Sequence, residues 1–171
     1  MGSIYLLRHA KAAAALPGQR DFERSLDSRG RETAQTLGIT IMANGISPDL
    51  VICSPSKRTR ETLAIICEFF AFEVETRFQE TLFTDEWPSY LSALQTSGEV
   101  SSVMLIGHNP AIEETALQLA NNGNRDALKA LYAGFAPCSM GIFSIETPLS
   151  ELKPRKAFLE NFLIDGIMTT H

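Results

Sequence analysis

No hydrophobic run in this 171-residue sequence approaches the length needed to cross a bilayer, so no membrane partner is expected. The first apolar stretch, Ile4 to Leu7, is stopped by Arg8; no secretory leader is visible, and the cytoplasm is the expected compartment. The Walker phosphate loop, the GxGxxG turn and the GxSxG elbow are all missing, which removes the usual marks of nucleotide, dinucleotide and serine-hydrolase chemistry. Cysteine is scarce and odd in number. Cys53, Cys67 and Cys138 form no CxxC pair and read as buried structural thiols, with Cys67 on the apolar stripe of a helix. Histidine is as scarce: His9, His108 and His171 share no metal-ligand spacing, so no metal site is expected. Positive charge is in deficit too. Fifteen Lys and Arg against twenty Asp and Glu leave a net charge of −5, which argues against a nucleic-acid partner.

What is present is ordinary in bulk and specific in detail. Hydrophobic residues make up 44% and charged residues 20%, the balance of a globular chain, and without repeats or a composition break residues 1–171 read as a single domain. Short apolar runs alternate with helical patterns, the signature of an α/β protein. Strands are expected over 3–7, 49–53, 73–78, 101–106, 140–145 and 156–161. Helices are expected over 29–43, from Ser54-Pro55 onward with Leu63, Ile66, Cys67 and Phe70 on one face, over 87–96, and from Asn109-Pro110 to about Leu119. Ser54 and Asn109 read as helix caps, each followed by proline at the first helical position. The Asn121-Asn122-Gly123 run reads as a turn.

Three of the strands end in similar chemistry. The first runs into Arg8-His9, the second into Ser54-Pro-Ser-Lys-Arg58, and the strand at 101–106 into Gly107-His108-Asn109-Pro110. In open α/β sheets the groups just past the carboxyl ends of parallel strands meet in one crevice. Two arginines and two histidines there, in an acidic chain, suit a tetrahedral anion. Neutral imidazole is a competent nucleophile near neutral pH, and guanidinium groups can supply the charge that magnesium supplies elsewhere, so no cofactor is required.

With Leu-Leu-Arg8-His9-Ala10-Lys11, Asp21-Phe-Glu-Arg24-Ser-Leu26, Ser28-Arg29-Gly30-Arg31, Ser54-Pro55-Ser-Lys-Arg58-Thr-Arg60-Glu-Thr62 and Val103-Met-Leu-Ile-Gly107-His108-Asn109-Pro110, the chain resembles the histidine phosphatase superfamily and, within it, the SixA-type phosphohistidine phosphatases. Ser25 stands where that type usually has proline. The resemblance implies a phosphoglycerate-mutase-like fold, a three-layer α/β/α sandwich with a mostly parallel central sheet. It implies His9 as the nucleophile that becomes phosphorylated, with Arg8, Arg58 and His108 around the phosphoryl group. It also matches Glu80 to the catalytic acid that the phosphoglycerate-mutase-like branch carries after its third strand, with Asp85 the runner-up. Arg24 is a candidate phosphate or substrate contact; Lys11 reads as shaping local charge. The implied partner is a phosphorylated small molecule or a phosphohistidine-bearing protein. The alternative class is a non-catalytic phosphate- or phosphoprotein-binding module on the same fold. No heptad or exposed apolar stripe specifies an oligomeric state.

Overall fold

The computed structural model describes residues 2–169, so His171 lies outside the described residues. Strand β1 (Gly2–Arg8) opens the chain, followed by α1 (Ser28–Ala43), β2 (Leu50–Cys53), α2 (Lys57–Ile66) and β3 (Glu75–Phe78). A single turn, α3 (Thr81–Thr84), and α4 (Trp87–Gln95) lead to β4 (Ser102–Gly107) and α5 (Ala111–Leu119). The remainder is β5 (Ala120–Gly123), α6 (Arg125–Ala133), β6 (Met140–Ile145), β7 (Ala157–Ile164) and β8 (Ile167–Met168).

The strands form one sheet in the order β3-β2-β4-β1-β6-β7-β5, with β8 on β7. β3, β2, β4 and β1 are parallel neighbours, and β6 runs antiparallel between β1 and β7. The sheet is central because its middle strands are apolar on both faces. β2 is buried at all four positions and β4 at all but its first. One face carries α1 and α2 over Leu7, Val51, Met104 and Ile106; the other carries α4, α5 and α6 over Leu6, Ile52, Val103 and Leu105. This is the three-layer sandwich.

Helix α1 starts where the Asp27 side chain accepts the Gly30 N–H (2.7 Å), and it buries the stripe Ala34, Leu37 and Ile41. Gly30 is there because α1 crosses the Lys11 backbone; a Cβ at this position would lie 2.1 Å from the Lys11 carbonyl oxygen.

Several boundaries differ from the sequence expectations, each for a physical reason. α2 begins at Lys57 with Ser56 at its cap, so Ser54 and Pro55 precede the helix and Ser54 is free for another partner. α5 begins at Ala111 with Pro110, not Asn109, in the cap position. The Asn121-Asn122-Gly123 run is part of β5, because it lies alongside β7 and the parallel ladder takes up its backbone groups. α6, not expected from the sequence, buries only Ala127 and Leu131, too sparse a stripe to stand out as a pattern. α2 stops at Ile66 and a 3-10 turn follows, which rotates Cys67 off the buried stripe; Cys53 and Cys138 are buried, but Cys67 is exposed. Among the described residues no helix is long and apolar enough to cross a membrane.

Candidate active site

β2, β4 and β1 lie side by side and parallel, so their carboxyl ends open on the same edge of the sheet. Arg8 closes β1, His9 follows it, Arg58 sits in the first turn of α2, and His108 follows β4. These four line one cavity of about 260 Å³, together with Lys11, Ala12, Arg24, Asn109 and Pro137. His9, Arg58 and His108 are only 8%, 6% and 9% exposed, so their charges act in a weakly screened environment.

The His9 backbone is pinned on both sides. Its N–H donates to the Gly107 carbonyl (3.2 Å), and its carbonyl accepts the Cys138 N–H (3.0 Å). The ring is pinned as well. His9 Nδ1 lies 2.7 Å from the Ala10 carbonyl oxygen, which can only accept, so Nδ1 carries the proton. Nε2 is left with its lone pair, and Arg58 Nε donates to it at 3.2 Å. Thr62 secures the support: the Ala10 N–H donates to Thr62 Oγ1 (3.0 Å), which donates to the Arg58 carbonyl (2.8 Å). Burial, then the charges of Arg58, Arg8 and Arg24, pull the His9 pKa down to about 4, although the Ala10 carbonyl opposes them.

His108 adopts the opposite tautomer. Arg58 Nη2 approaches its Nδ1 at 3.3 Å and can only donate, so Nε2 carries the proton and donates to Ser54 Oγ at 2.7 Å. Fully buried Ser54 is thus a histidine partner, where the sequence suggested a helix cap. Burial and the neighbouring His9 and Arg58 bring the His108 pKa down to about 3, which favours the neutral ring. The main chain of His108 is held by Tyr90, whose hydroxyl accepts the His108 N–H (3.0 Å) and donates to the Leu82 carbonyl (2.6 Å). Gly107 permits this approach, since a Cβ there would be 2.4 Å from the Tyr90 oxygen.

Two carboxylates orient the arginines, and sequence reasoning assigned neither a role. Asp21 accepts Arg58 Nη2 on Oδ2 (2.9 Å) and Arg24 Nη1 on Oδ1 (2.9 Å), while its carbonyl accepts Arg58 Nη1 (2.7 Å). Those bonds, Arg24's first, lower the Asp21 pKa. The other is Glu113, in the first turn of α5: Oε2 accepts the Asn109 amide (2.9 Å) and the Phe135 N–H (3.2 Å), and the Phe135 carbonyl accepts Arg8 Nη1 (2.8 Å). The spacing of four between Asn109 and Glu113 was the one signal available in the sequence.

Glu80 is exposed at the start of α3 and does not line the cavity. Asp85 is exposed and accepts hydroxyls from Thr84 (2.7 Å) and Ser89 (2.8 Å). What α3 does bring to the site is Phe83, edge-on to the His108 ring at 5.4 Å and to Phe22 at 5.1 Å. Lys11 pairs with Asp27 at 3.3 Å on the rim. Among the described residues no three His, Cys, Asp or Glu side chains gather as a metal-ion group.

A cationic, histidine-bearing cleft at the carboxyl edge of a mostly parallel sheet defines a phosphoryl-binding α/β protein. Residues 4–88 match the histidine phosphatase superfamily (branch 1). A solved structure from Agrobacterium tumefaciens, which carries the provisional name phosphohistidine phosphatase SixA, is 31% identical, with 95% of this chain and 97% of that one covered and a TM-score of 0.80. An uncharacterised protein of Mycobacterium leprae is 27% identical, over 91% of this chain and 98% of its own length. The protein histidine phosphatase SixA complexed with tungstate, only 16% identical, shares the fold with a TM-score of 0.75, over 95% of this chain and 97% of that one. The chain belongs to the histidine phosphatase superfamily, within it to the SixA type, and it is a phosphatase.

Proposed function

We propose that the chain, acting as one domain, hydrolyses phosphoramidates, with protein phosphohistidine as its substrate class, through a phosphoryl group carried on His9. Arg8, Arg58 and His108 surround the phosphoryl oxygens, and Arg24 adds charge at the rim. The Nε2 lone pair of His9 attacks phosphorus as the P–N bond to the substrate breaks. The bonding pair leaves with a substrate imidazole, which departs neutral when its other ring nitrogen is protonated. Water then attacks the phosphoryl-histidine, releasing inorganic phosphate and returning His9 to its starting tautomer. The Nδ1–H···O=C bond to Ala10 persists throughout and holds Nε2 toward phosphorus.

The observation that carries the substrate class is that, among the described residues, no Asp or Glu lines the cavity. An alkoxide leaving group needs a proton donor; an imidazole does not. Positive charge from the arginines offsets charge on the equatorial oxygens, so catalysis should survive chelation.

The test compares a phosphorylated histidine-phosphotransfer domain with an aryl and an alkyl phosphate, and looks for an acid-labile label on the protein. Fast turnover of the phosphoprotein, slower aryl turnover, very slow alkyl turnover and no label on His9→Ala are expected. An alkyl phosphate turned over as fast as the phosphoprotein would remove the substrate class, and a labelled His9→Ala would remove the nucleophile.

A further inference from the structure

Four rings stand in a row from the nucleophile to the surface. The centroids of His9 and His108 are 5.1 Å apart, Phe83 lies edge-on to His108 at 5.4 Å, and Phe22 lies edge-on to Phe83 at 5.1 Å. The histidines are buried, whereas both phenylalanines are only half-buried. Neither phenylalanine belongs to the apolar clusters that cover the two faces of the sheet. Phe22 sits in a single 3-10 turn, Asp21–Glu23, none of whose residues is buried, and Phe83 sits in α3. A partly exposed aromatic pair that serves neither core is free to meet a ligand. We propose, on the reading that His9 takes the phosphoryl group, that Phe22 and Phe83 form a shelf for the leaving group and select phosphoryl donors whose leaving group is an aromatic ring.

The entering and leaving groups of a phosphoryl transfer stand roughly in line on opposite sides of phosphorus. With Nε2 of the buried His9 attacking from within, the leaving group points toward the mouth of the pocket. Phe83 borders two of the groups around the phosphoryl oxygens. Besides its contact with His108, its ring centroid is 5.8 Å from the Arg58 guanidinium carbon. Phe22 follows Asp21, whose carboxylate holds both Arg58 and Arg24. Apart from the four phosphoryl-binding residues, the pocket is lined by Lys11, Ala12, Arg24, Asn109 and Pro137, none of them aromatic. A ring at the mouth therefore finds its aromatic partners in Phe83 and Phe22.

Aromatic pairs favour edge-to-face or offset contact at centroid separations of about 4.5–7 Å. The row already has that spacing, and a ring seated on the shelf extends it. An acyl or amino leaving group gains no such contact. Each phenylalanine also fixes the other, so little ordering is left for the substrate to impose. Because the contact exists before and during bond cleavage, it acts on KM more than on kcat.

The test measures wild type, Phe22→Leu, Phe83→Leu and the double variant on matched pairs of substrates. One pair is para-nitrophenyl phosphate with acetyl phosphate, whose leaving groups need no proton donor. The other is phosphohistidine with phosphoramidate, in both of which a P–N bond breaks. Leucine keeps apolar bulk and removes the ring. Each single variant should therefore lower the kcat/KM ratio of the ring substrate over its partner by roughly two- to tenfold, through KM. In the wild type, phenylphosphonate should be a competitive inhibitor at least about threefold tighter than methylphosphonate. A merely structural role for Phe83 beside His108 would lower both members of a pair alike. Ratios unchanged in both single variants would overturn the proposal, as would equal inhibition by the two phosphonates. A wild type inactive on phosphohistidine would remove that substrate class, while a fall in the para-nitrophenyl to acetyl ratio would still establish the shelf.

Discussion

Glu113 and Arg8 meet through the main chain of a single residue, Phe135. The Glu113 carboxylate accepts the N–H of Phe135 at 3.2 Å, and the carbonyl of the same residue accepts the Arg8 guanidinium at 2.8 Å. Asn109 braces the arrangement by donating to both the Glu113 carboxylate and the Phe135 carbonyl. The carboxylate charge also favours the cationic form of Arg8 against the burial that lowers its pKa. Glu113→Ala should therefore lower kcat/KM on an aryl phosphate by roughly ten- to a hundredfold, the scale of a lost charge-assisted hydrogen bond of about 1.5–3 kcal/mol. Glu113→Gln keeps an acceptor and should recover much of the loss. Wild-type kinetics in the alanine variant would refute the role.

Asp21 is the corresponding anchor on the other side of the pocket. It is more than half exposed, so its ion pairs with Arg24 and Arg58 should contribute under about 1 kcal/mol to folding. Its effect on the pocket should be larger, because Arg58 contacts both histidines. Asp21→Ala should weaken competitive inhibition by inorganic phosphate several-fold while leaving the urea midpoint nearly unchanged. A shifted midpoint with unaltered inhibition would show that Asp21 serves the fold rather than the site.

The two buried histidines give acid pH a defined effect. In the folded, unliganded protein His9 takes up a proton only near pH 4 and His108 near pH 3, whereas in the unfolded chain both do so near the ordinary imidazole value of about 6.5. Between those values the unfolded state binds more protons, so stability is fully present above about pH 6.5 and falls as the pH drops through the folded values. The loss across the pair should be on the order of a few kcal/mol. Urea unfolding as a function of pH, compared between the wild type and His108→Gln, isolates one contribution. The acid limb of kcat/KM, corrected for ionisation of the substrate, should likewise lie well below that of a free imidazole; a limb at the free value would contradict the burial argument.

Gly30 joins fold and site. A methyl group there would lie 2.1 Å from the Lys11 carbonyl, two residues from His9. Because the obstructing atom is backbone, Gly30→Ala should cost about 1–3 kcal/mol in a urea or thermal melt. It should also reduce turnover, since relief requires α1 or the Lys11 segment to move. An alanine variant of wild-type stability would show that the contact relaxes cheaply.

Much of this protein was legible in its residues. The apolar runs of β1, β2, β4 and β6 were identifiable because each is short, continuous and bounded by polar or turn-forming residues. Arg8, His9, Arg58 and His108 stood out because each closely follows such a run, and parallel strands send their carboxyl ends to one edge. β5 and α6 were not legible: a polar Asn-Asn-Gly run becomes a strand only when β7 lies beside it, and two buried residues make a weak helical pattern. Ser54 looked like a cap because sequence shows a serine before proline but not a histidine arriving from β4, 54 residues later.

The sequence by itself pointed to the chemical groups that gather at the sheet edge, since apolar runs alternating with helical patterns mark parallel strands and such strands send their carboxyl ends to one edge. Only the tertiary structure decided their protonation and orientation. The tautomer of His9 depends on a carbonyl beside it, that of His108 on Ser54 and Arg58, and the set of Arg8 on a carboxylate from α5. These are hydrogen bonds between elements distant in the chain, formed where burial makes an unpaired polar group costly, and no local pattern records them.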